Sequence, residues 1–345
     1  MKSLLFTVII LNQSWARLRG CSFNGVYSLD NPAKTFENLD TAKERIGEEI
    51  QKWITLARIS TDSESKIYVS KYQGKSYLVE QFSIEDKTDS QKKMIEAQIK
   101  LPDALCKKSS EETPTEGNCN TSMIPKFKGC FETRNKAFLF YEDVDSDLSK
   151  NTSVAGFIGK TNKEYFNHAL TLAKKFKDLA ELGYLHCEIN PTSILAIDSS
   201  MSDFKIFGLR SIVDPKTECN VNQSVYLPPE KVKGTFIATE PANIYSLAMT
   251  LLMFLTNELE YVKKVYLVCI GQSLDQDQCN AKHLTFIIVT LMKANLLPLA
   301  DFFVRALSNE PKERHQTFTE FVEDLEKHIQ LAEKEEKEKA KKNLI

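Results

Sequence analysis

The stretch from Gly183 to Leu209 constrains the fold of this chain more than any other part of its sequence. Near its start lies a mainly polar run of residues with one proline, which reads HCEINPTS from His186 to Ser193. A short hairpin-like pattern follows and ends in Ile206-Phe207-Gly208, so that Ile206 stands eighteen positions after Glu188. Because glycine adopts backbone conformations that other residues avoid, Gly208 indicates a sharp turn of the chain.

This segment resembles the catalytic loop of protein kinases. The kinase pattern reads His-Arg-Asp-Leu-Lys-Pro-x-Asn, and Asp-Phe-Gly comes about eighteen positions after its Asp. In kinases the first Asp receives the substrate proton, while the Asn and the second Asp hold metal ions. The same register places Glu188, Ser193 and Ile206 at these three positions. The resemblance therefore implies a kinase-like loop without its metal ligands, in which Glu188 keeps a carboxylate that could still accept a proton.

Two further residues of the segment bear on this register. The pair Asp203-Phe204 competes for the Asp-Phe-Gly position, but Lys205 follows it and it falls three positions early. We therefore interpret Asp203 as a hairpin residue. Cys187 stands where many kinases carry an Arg that receives an activation-loop phosphate, so phosphorylation control of that type is not expected.

The positions that have a packing role keep the kinase residue type. His186 and Phe207 match residues of the internal spine that joins the two kinase lobes, and Gly208 allows the backbone turn after them. The segment YLPPE, which ends at Glu230, resembles the motif that closes the activation loop. A late segment that contains Arg314 resembles the one whose Arg pairs with that Glu. The resemblance thus implies a buried pair between Glu230 and Arg314.

The nucleotide cleft that the resemblance implies is degenerate. Ser60, Asp62 and Ser65 stand where a kinase loop has three glycines, which let the backbone approach the phosphates. Glu80 replaces the phosphate-binding Lys, and Glu142 begins the hinge after the fifth strand. Two charges about 4 Å apart interact by about 4 kcal/mol at an effective dielectric near 20, so this reversal of sign opposes phosphate binding. We expect no ordinary phosphotransfer, no catalytic residue and no cofactor.

The matches predict an α+β protein with the two-lobed protein-kinase-like fold. Residues 55–145 are expected to form the small β-rich N-lobe, and residues 146–330 the larger helical C-lobe. Residues 17–54 are expected to be an N-terminal extension, where apolar residues at helical spacing from Asn31 to Trp53 predict an added helix. Residues 331–345 are a charged tail, which either continues the last helix or frays.

The N-terminus predicts export from the cytosol. Lys2 precedes an apolar run from Leu4 to Leu11, and small residues around Trp15 suit a signal peptidase. We therefore interpret residues 1–16 as a signal peptide and expect a secreted or secretory-pathway protein, with a buried N-terminal strand as the alternative. The apolar run is well short of the roughly 20 residues that a bilayer requires, and no transmembrane segment is expected.

The cysteines and the glycosylation sequons agree with an oxidising compartment. The chain has 8 cysteines, and disulfides persist in such compartments. Their spacing leaves the connectivity open, and the local candidate pairs are Cys106 with Cys119 and Cys269 with Cys279. A metal site is not expected, because the sequence has no Cys-x-x-Cys pair and only 5 histidines. The N-glycosylation acceptors are Asn120, Asn151 and Asn222.

These features predict a secreted pseudokinase that acts as a protein-binding or regulatory module, with protein partners that the sequence does not identify. A net charge of −2 gives no basic excess, and no nucleic-acid partner is expected. The alternative is a divergent secretory-pathway kinase for proteins or glycans, using ATP, Glu188 as base and an atypical lysine such as Lys66 or Lys71. A scaffolding role in an oligomer is a third hypothesis.

Overall fold

The computed structural model combines helices and strands and describes most of the C-terminal half of the chain and parts of the remainder. The described residues are 57–61, 65–72, 75–83, 101, 105, 123–132, 136–142, 161–196, 203–221, 224–230, 235–255, 285 and 287–342. The chain divides into two compact units, one comprising residues 1–152 with 197–200 and the other residues 153–196 with 201–345. Within the described ranges, no helix combines the length and apolar character that crossing a membrane requires.

The first unit contains one antiparallel five-stranded sheet in the order β1-β2-β3-β5-β4. The strands are β1 Ala57–Thr61, β2 Ser65–Tyr72, β3 Lys75–Ser83, β4 Lys126–Glu132 and β5 Lys136–Glu142. Residues 78–82 of β3 are all buried, although successive side chains of a strand point to opposite faces. Both faces of the sheet are therefore covered at β3, which lies between β2 and β5.

The second unit contains a helix, α1 Asn162–Glu181, that begins at a reciprocal cap. The Thr161 hydroxyl accepts a hydrogen bond from the Glu164 backbone N–H, and the Glu164 carboxylate accepts one from the Thr161 N–H. This capping box satisfies backbone donors that the first turn of a helix leaves without partners. It fixes where α1 starts.

A second helix, α2 Glu240–Phe254, is buried over nearly its whole length. Every residue from Ala242 to Phe254 is buried, so α2 is surrounded by other parts of the unit and not amphipathic. The hydroxyls of Ser246 and Thr250 donate to backbone carbonyls one turn earlier in the same helix. These polar groups therefore need no partners from outside α2.

Two further helices of the second unit are α3 Ala300–Ala306 and α4 Phe318–Lys342. The first half of α4 buries residues at helical spacing, namely Phe318, Phe321, Val322, Leu325, His328, Ile329 and Ala332. This face packs against α1, where the rings of Phe176 and Phe318 are stacked 6.2 Å apart. The charged tail predicted from residue 331 continues α4 to Lys342.

Three short strand pairs hold the irregular part of the second unit. They are β6 Leu185–His186 with β9 Ile212–Val213, β7 Ile194–Ala196 with β8 Phe204–Ile206, and β10 Glu218–Asn220 with β11 Thr235–Ile237. Each pair is antiparallel, and each joins chain segments on either side of a loop. The polar segment from His186 to Ser193 is therefore held at both ends by backbone hydrogen bonds.

Several predictions concern residues outside the described ranges. They are the signal peptide at 1–16, the extension at 17–54, the lobe boundary between 145 and 146, Asp62, the four cysteines of the candidate local pairs, and the sequons at Asn120, Asn151 and Asn222. These stay predictions.

Candidate functional site

His186 is the centre of the kinase-like loop. Its backbone N–H donates to Asn243 Oδ1 of α2 at 2.7 Å, and its Nδ1 accepts from the Glu188 N–H at 3.1 Å. Because Nδ1 is an acceptor, the proton sits on Nε2, which donates to the Phe207 carbonyl at 2.8 Å. Burial lowers the pKa of His186 to about 4, although the hydrogen bond to Phe207 acts in the opposite direction. The ring is therefore neutral and links the loop, α2 and the segment after β8.

The turn from Asn190 to Ser193 closes on itself. The Asn190 Oδ1 accepts from the Thr192 N–H at 2.8 Å, and Pro191 starts the short 3-10 helix that follows. The Ser193 hydroxyl accepts from the Asn190 N–H at 3.0 Å and donates to the Asn190 carbonyl at 2.9 Å. Ser193, which the kinase resemblance places at the position of the metal-binding Asn, is buried and uses its hydroxyl proton within the turn.

Ile206 and its neighbours form the second part of the segment. Ile206 ends β8 opposite Ile194 of β7, and its side chain is fully buried. The next residue, Phe207, is also buried, and its N–H donates to the Ser193 carbonyl at 2.8 Å. Gly208 has φ of 74°, a left-handed conformation that residues with a Cβ rarely adopt. Phe207 and Gly208, which match the kinase residue types, are thus the residues that fix the course of the backbone after β8.

Asp203 lies directly before β8 and holds this strand to α1. Its Oδ1 accepts from the Phe204 N–H at 2.8 Å and lies 2.8 Å from the Lys175 Nζ of α1. The Lys175 side chain is only 10% exposed, so this ion pair is shielded from solvent on one side. The carboxylate is therefore engaged in a structural contact between the helix and the strand.

Glu188 is half-buried and follows the disulfide-bonded Cys187. Its backbone makes two loop contacts, because its N–H donates to His186 Nδ1 and its carbonyl accepts from the Asn190 Nδ2 at 3.3 Å. The loop geometry around this carboxylate is therefore fixed by neighbouring residues.

The predicted nucleotide-contacting positions lie in the sheet of the first unit. Glu80 is in the centre of β3, opposite Ile67 of β2 and Leu139 of β5, and is 1% exposed. Ser60 is in β1 opposite Ile67, and Ser65 begins β2. Glu142 is the last residue of β5. A carboxylate thus occupies a buried position in the middle of the sheet, where the resemblance expects a lysine.

Arg314 and Glu230 form a bidentate ion pair in the second unit. The Arg314 side chain is fully buried, and its Nη1 and Nη2 donate to the two carboxylate oxygens of Glu230 at 2.8 and 2.7 Å. Its remaining N–H groups donate to backbone carbonyls of Pro241, Asn309 and Ser308. The structure thus brings together the two residues that the kinase resemblance pairs.

One feature of the site was missed from the sequence. Cys187 and Cys219 form a disulfide with a Cα–Cα distance of 5.5 Å, and the two residues are 32 positions apart. Spacing does not fix disulfide connectivity, and the sequence candidates were closer neighbours. The usable signal was the exchange of the expected Arg at 187 for a cysteine, together with a second cysteine in the segment that this Arg contacts in kinases.

The described residues contain no group of three or more His, Cys, Asp or Glu side chains placed to hold a metal ion. No protein-family model matches the chain. Among curated proteins, the chain is similar to a probable serine/threonine-protein kinase of Clostridium perfringens (strain 13 / Type A), with 23% identity over 162 residues. The match covers 46% of this chain and 22% of the length of that protein. This similarity supports a distant kinase-like relationship.

Proposed function

We propose that this protein is a secreted pseudokinase, a kinase-like fold of two lobes that acts as a protein-binding or regulatory module without ordinary metal-dependent phosphotransfer. The observation that carries the proposal is the fully buried Ile206, which stands where a kinase has its metal-binding Asp. Magnesium in phosphotransferases is bound by carboxylate oxygens and substrate phosphates, and a hydrocarbon side chain offers no ligand atom.

The second metal-ligand position supports the same proposal. Ser193 supplies a neutral hydroxyl, which donates its proton to the Asn190 carbonyl and accepts from the Asn190 N–H. The hydroxyl is thus engaged within the buried turn, and it offers a metal ion no negative charge.

The buried carboxylate of Glu80 opposes the use of β3 as a phosphate-binding strand. In kinases a lysine at this position attracts the phosphates of ATP, and Glu80 has the opposite charge.

The residues to which the kinase resemblance gives a structural role make the contacts that this role requires. His186 links the loop to α2, Gly208 provides the left-handed turn, and Glu230 binds the buried Arg314. A chain that keeps these structural contacts, but has Ser193 and Ile206 at the two metal-ligand positions, retains the surfaces of the fold without the groups for phosphotransfer. This contrast favours binding over catalysis.

The secretory part of the proposal rests on different observations. The Cys187–Cys219 disulfide requires an oxidising compartment to form and persist, and the N-terminal pattern of residues 1–16 is that of an export signal. The partner is an exported or cell-surface protein, because those proteins share the compartment.

The test is a thermal-shift titration of secreted, glycosylated protein with ATP, with Mg²⁺ and with both. The expected result is an unchanged Tm in all three series, together with no transfer of the γ-phosphate to added protein acceptors. Chelation of the metal serves as the control within each series. An increase in Tm that needs ATP and Mg²⁺ together, accompanied by transfer, would overturn the proposal.

A second candidate function is a divergent secretory-pathway kinase, and the retained carboxylate of Glu188 favours it. In that function Glu188 accepts the proton of the acceptor hydroxyl, and Lys66, which is exposed on β2, supplies the missing phosphate contact. Its test is Glu188→Gln, which would abolish transfer, with Glu188→Asp as the control that restores the shorter kinase carboxylate. Transfer that survives Glu188→Gln would remove this candidate.

A further inference from the structure

The disulfide between Cys187 and Cys219 joins two parts of the second unit that the kinase resemblance separates by function. Cys187 lies in the catalytic-loop-like segment, and Cys219 lies in β10, within the segment that corresponds to the activation loop. Both cysteines are buried, with 5% and 1% of their surface exposed. The covalent bond therefore runs through the interior of the unit.

The Cys187 end of the bond is rigid. The Cys187 N–H donates to the Ser211 carbonyl at 2.7 Å, next to the pairing of His186 with Ile212. The adjacent His186 N–H is held by Asn243 Oδ1 of the buried helix α2. Backbone hydrogen bonds thus hold Cys187 and its neighbour His186 to the segment before β9 and to α2, independently of the disulfide.

The Cys219 end belongs to a short strand pair that leads into α2. Cys219 lies opposite Phe236 of β11, which is 5% exposed. Two more backbone hydrogen bonds extend the pair, from the Ala238 N–H to the Thr217 carbonyl and from the Lys216 N–H to the Ala238 carbonyl, both 2.8 Å. A constraint on Cys219 therefore constrains the segment on both sides of it.

A second anchor holds the same segment farther along. Glu230 binds the buried Arg314, and it stands eleven positions after Cys219. The segment from Asp214 to Glu230 is consequently held by a covalent bond near its start and by a bidentate ion pair at its end. Residues 214–218, which lie between β9 and Cys219, are exposed, so the start of the segment faces solvent.

We propose that the Cys187–Cys219 disulfide takes the place of the contact between an activation-loop phosphate and an arginine, and holds residues 214–221 and 224–230 in one conformation. The position of Cys187 is that of the Arg which receives such a phosphate in many kinases, so the same two segments are joined by a different bond. This inference rests on the kinase-like register of the proposed function, but it does not require the absence of phosphotransfer.

The bond forms by oxidation of two thiols. A new bond joins the two Sγ atoms, and two electrons and two protons pass to an oxidised thiol–disulfide oxidoreductase, whose own disulfide opens to two thiols. Reversal needs a thiolate to reach one of the sulfur atoms, and both cysteines are buried. The bond is therefore a durable tether and not a redox switch.

Hydrogen exchange measured by mass spectrometry tests the tether. The double variant Cys187→Ser/Cys219→Ser is compared with the wild type, and peptides from α1 and α4 of the same samples serve as internal controls. The expected result is exchange about tenfold faster or more in residues 214–221 and 224–230, with unchanged exchange in α1 and α4. Equal exchange of the segment in both proteins, or the same acceleration in all peptides, would overturn the inference.

A second measurement uses the wild type and does not depend on the folding of a variant. The folded protein is treated with a soluble phosphine reductant, and the disulfide-linked peptides that contain Cys187 and Cys219 are quantified over time. The linked peptides should persist without denaturant and disappear when denaturant unfolds the chain. Rapid reduction of the folded protein would show that the bond is accessible, and the inference that it is a durable tether would then be wrong. Nucleotide is absent from both experiments, so their outcome is separate from that of the thermal-shift test.

Discussion

Arg314 and Glu230 lie 84 positions apart and meet in a bidentate ion pair in which all the N–H groups of the guanidinium have a partner. The ring of Tyr245 lies 4.9 Å from the guanidinium carbon, which adds a cation–π contact from α2. The Arg314 side chain is fully buried, whereas that of Glu230 is 29% exposed. The arginine therefore joins the start of α2, the loop before α4 and the 214–230 segment at one point.

Replacement of Arg314 by Ala should destabilise the protein by roughly 3–5 kcal/mol, because a buried ion pair is broken and several carbonyls lose their donors. Arg314→Lys should also destabilise it, since an ammonium cannot reproduce the bidentate fork. Urea unfolding followed by circular dichroism measures both effects. Arg305→Ala is the matched control, because Arg305 pairs with Glu320 at 40% exposure and should cost about 1 kcal/mol or less. Equal costs at the two arginines would contradict the structural role of Arg314.

The buried His186 predicts a dependence of stability on pH. Its pKa in the folded protein is about 4, against 6.5 for a free imidazole. Between these two pH values the unfolded chain binds a proton that the folded chain does not, so stability is complete above pH 6.5 and falls as the pH is lowered towards 4. The loss attributable to this group is on the order of 3 kcal/mol. Burial also lowers the pKa of His315, which acts in the same direction.

Urea unfolding over this pH range measures the loss of stability, and NMR titration of the histidine rings assigns it. The His186 ring should remain neutral well below pH 6.5, the ordinary value. A ring that titrates at its ordinary pKa would show that burial does not hold His186 in the neutral form.

Ile206→Asp introduces the residue type that the kinase resemblance expects at this position, and we expect it to destabilise the protein instead of creating a metal site. The new carboxylate would be buried opposite Ile194 and should cost more than about 3 kcal/mol. Ile206→Val is the control and should cost roughly 0.5–1.5 kcal/mol through the loss of one methylene. Urea unfolding with and without ATP and Mg²⁺ separates the two effects. Stabilisation of Ile206→Asp by the metal and nucleotide together would argue for an intact kinase site.

Gly208→Ala should cost about 1–2 kcal/mol, because its φ of 74° places a Cβ close to the following carbonyl. Space around the residue is sufficient, since an added Cβ would lie 3.5 Å from the nearest atom, His186 Nε2. The cost should therefore come from the backbone, and Gly208→Asn should cost less, because Asn tolerates the left-handed region. Thermal unfolding compares the two variants. A larger loss for Gly208→Asn than for Gly208→Ala would point to crowding at His186.

The mixture of strands and helices was predictable from the sequence, and the mixed α and β content is confirmed. The apolar run from Ala137 to Tyr141 forms β5, and the largely apolar stretch from Ile244 to Phe254 forms the buried helix α2. Such long or strongly patterned segments carry a local signal that survives folding. The Glu230–Arg314 contact was accessible only through the resemblance, because no local pattern relates residues so far apart.

The disulfide and the hydrogen-bond partners of the polar side chains in the loop were not predictable in the same way. Nothing in the spacing of Cys187 and Cys219 selects this pair among eight cysteines, since the distance between them depends on the tertiary fold. Likewise, the kinase resemblance places Ser193 at a metal-ligand position, but only the structure shows its hydroxyl donating to the Asn190 carbonyl. The contact between Lys175 and Asp203 depends on how α1 lies against β8, which a single sequence does not specify.

The bond between Cys187 and Cys219 determines how this protein should be produced in the laboratory. A bacterial cytosol keeps thiols reduced, and material made there would fold with an open pair in the interior. Export to the periplasm or expression in a eukaryotic host with an intact secretory route supplies the oxidant during synthesis. The linked peptides that contain Cys187 and Cys219, detected in a non-reducing digest, show before any binding assay begins whether a batch carries this bond.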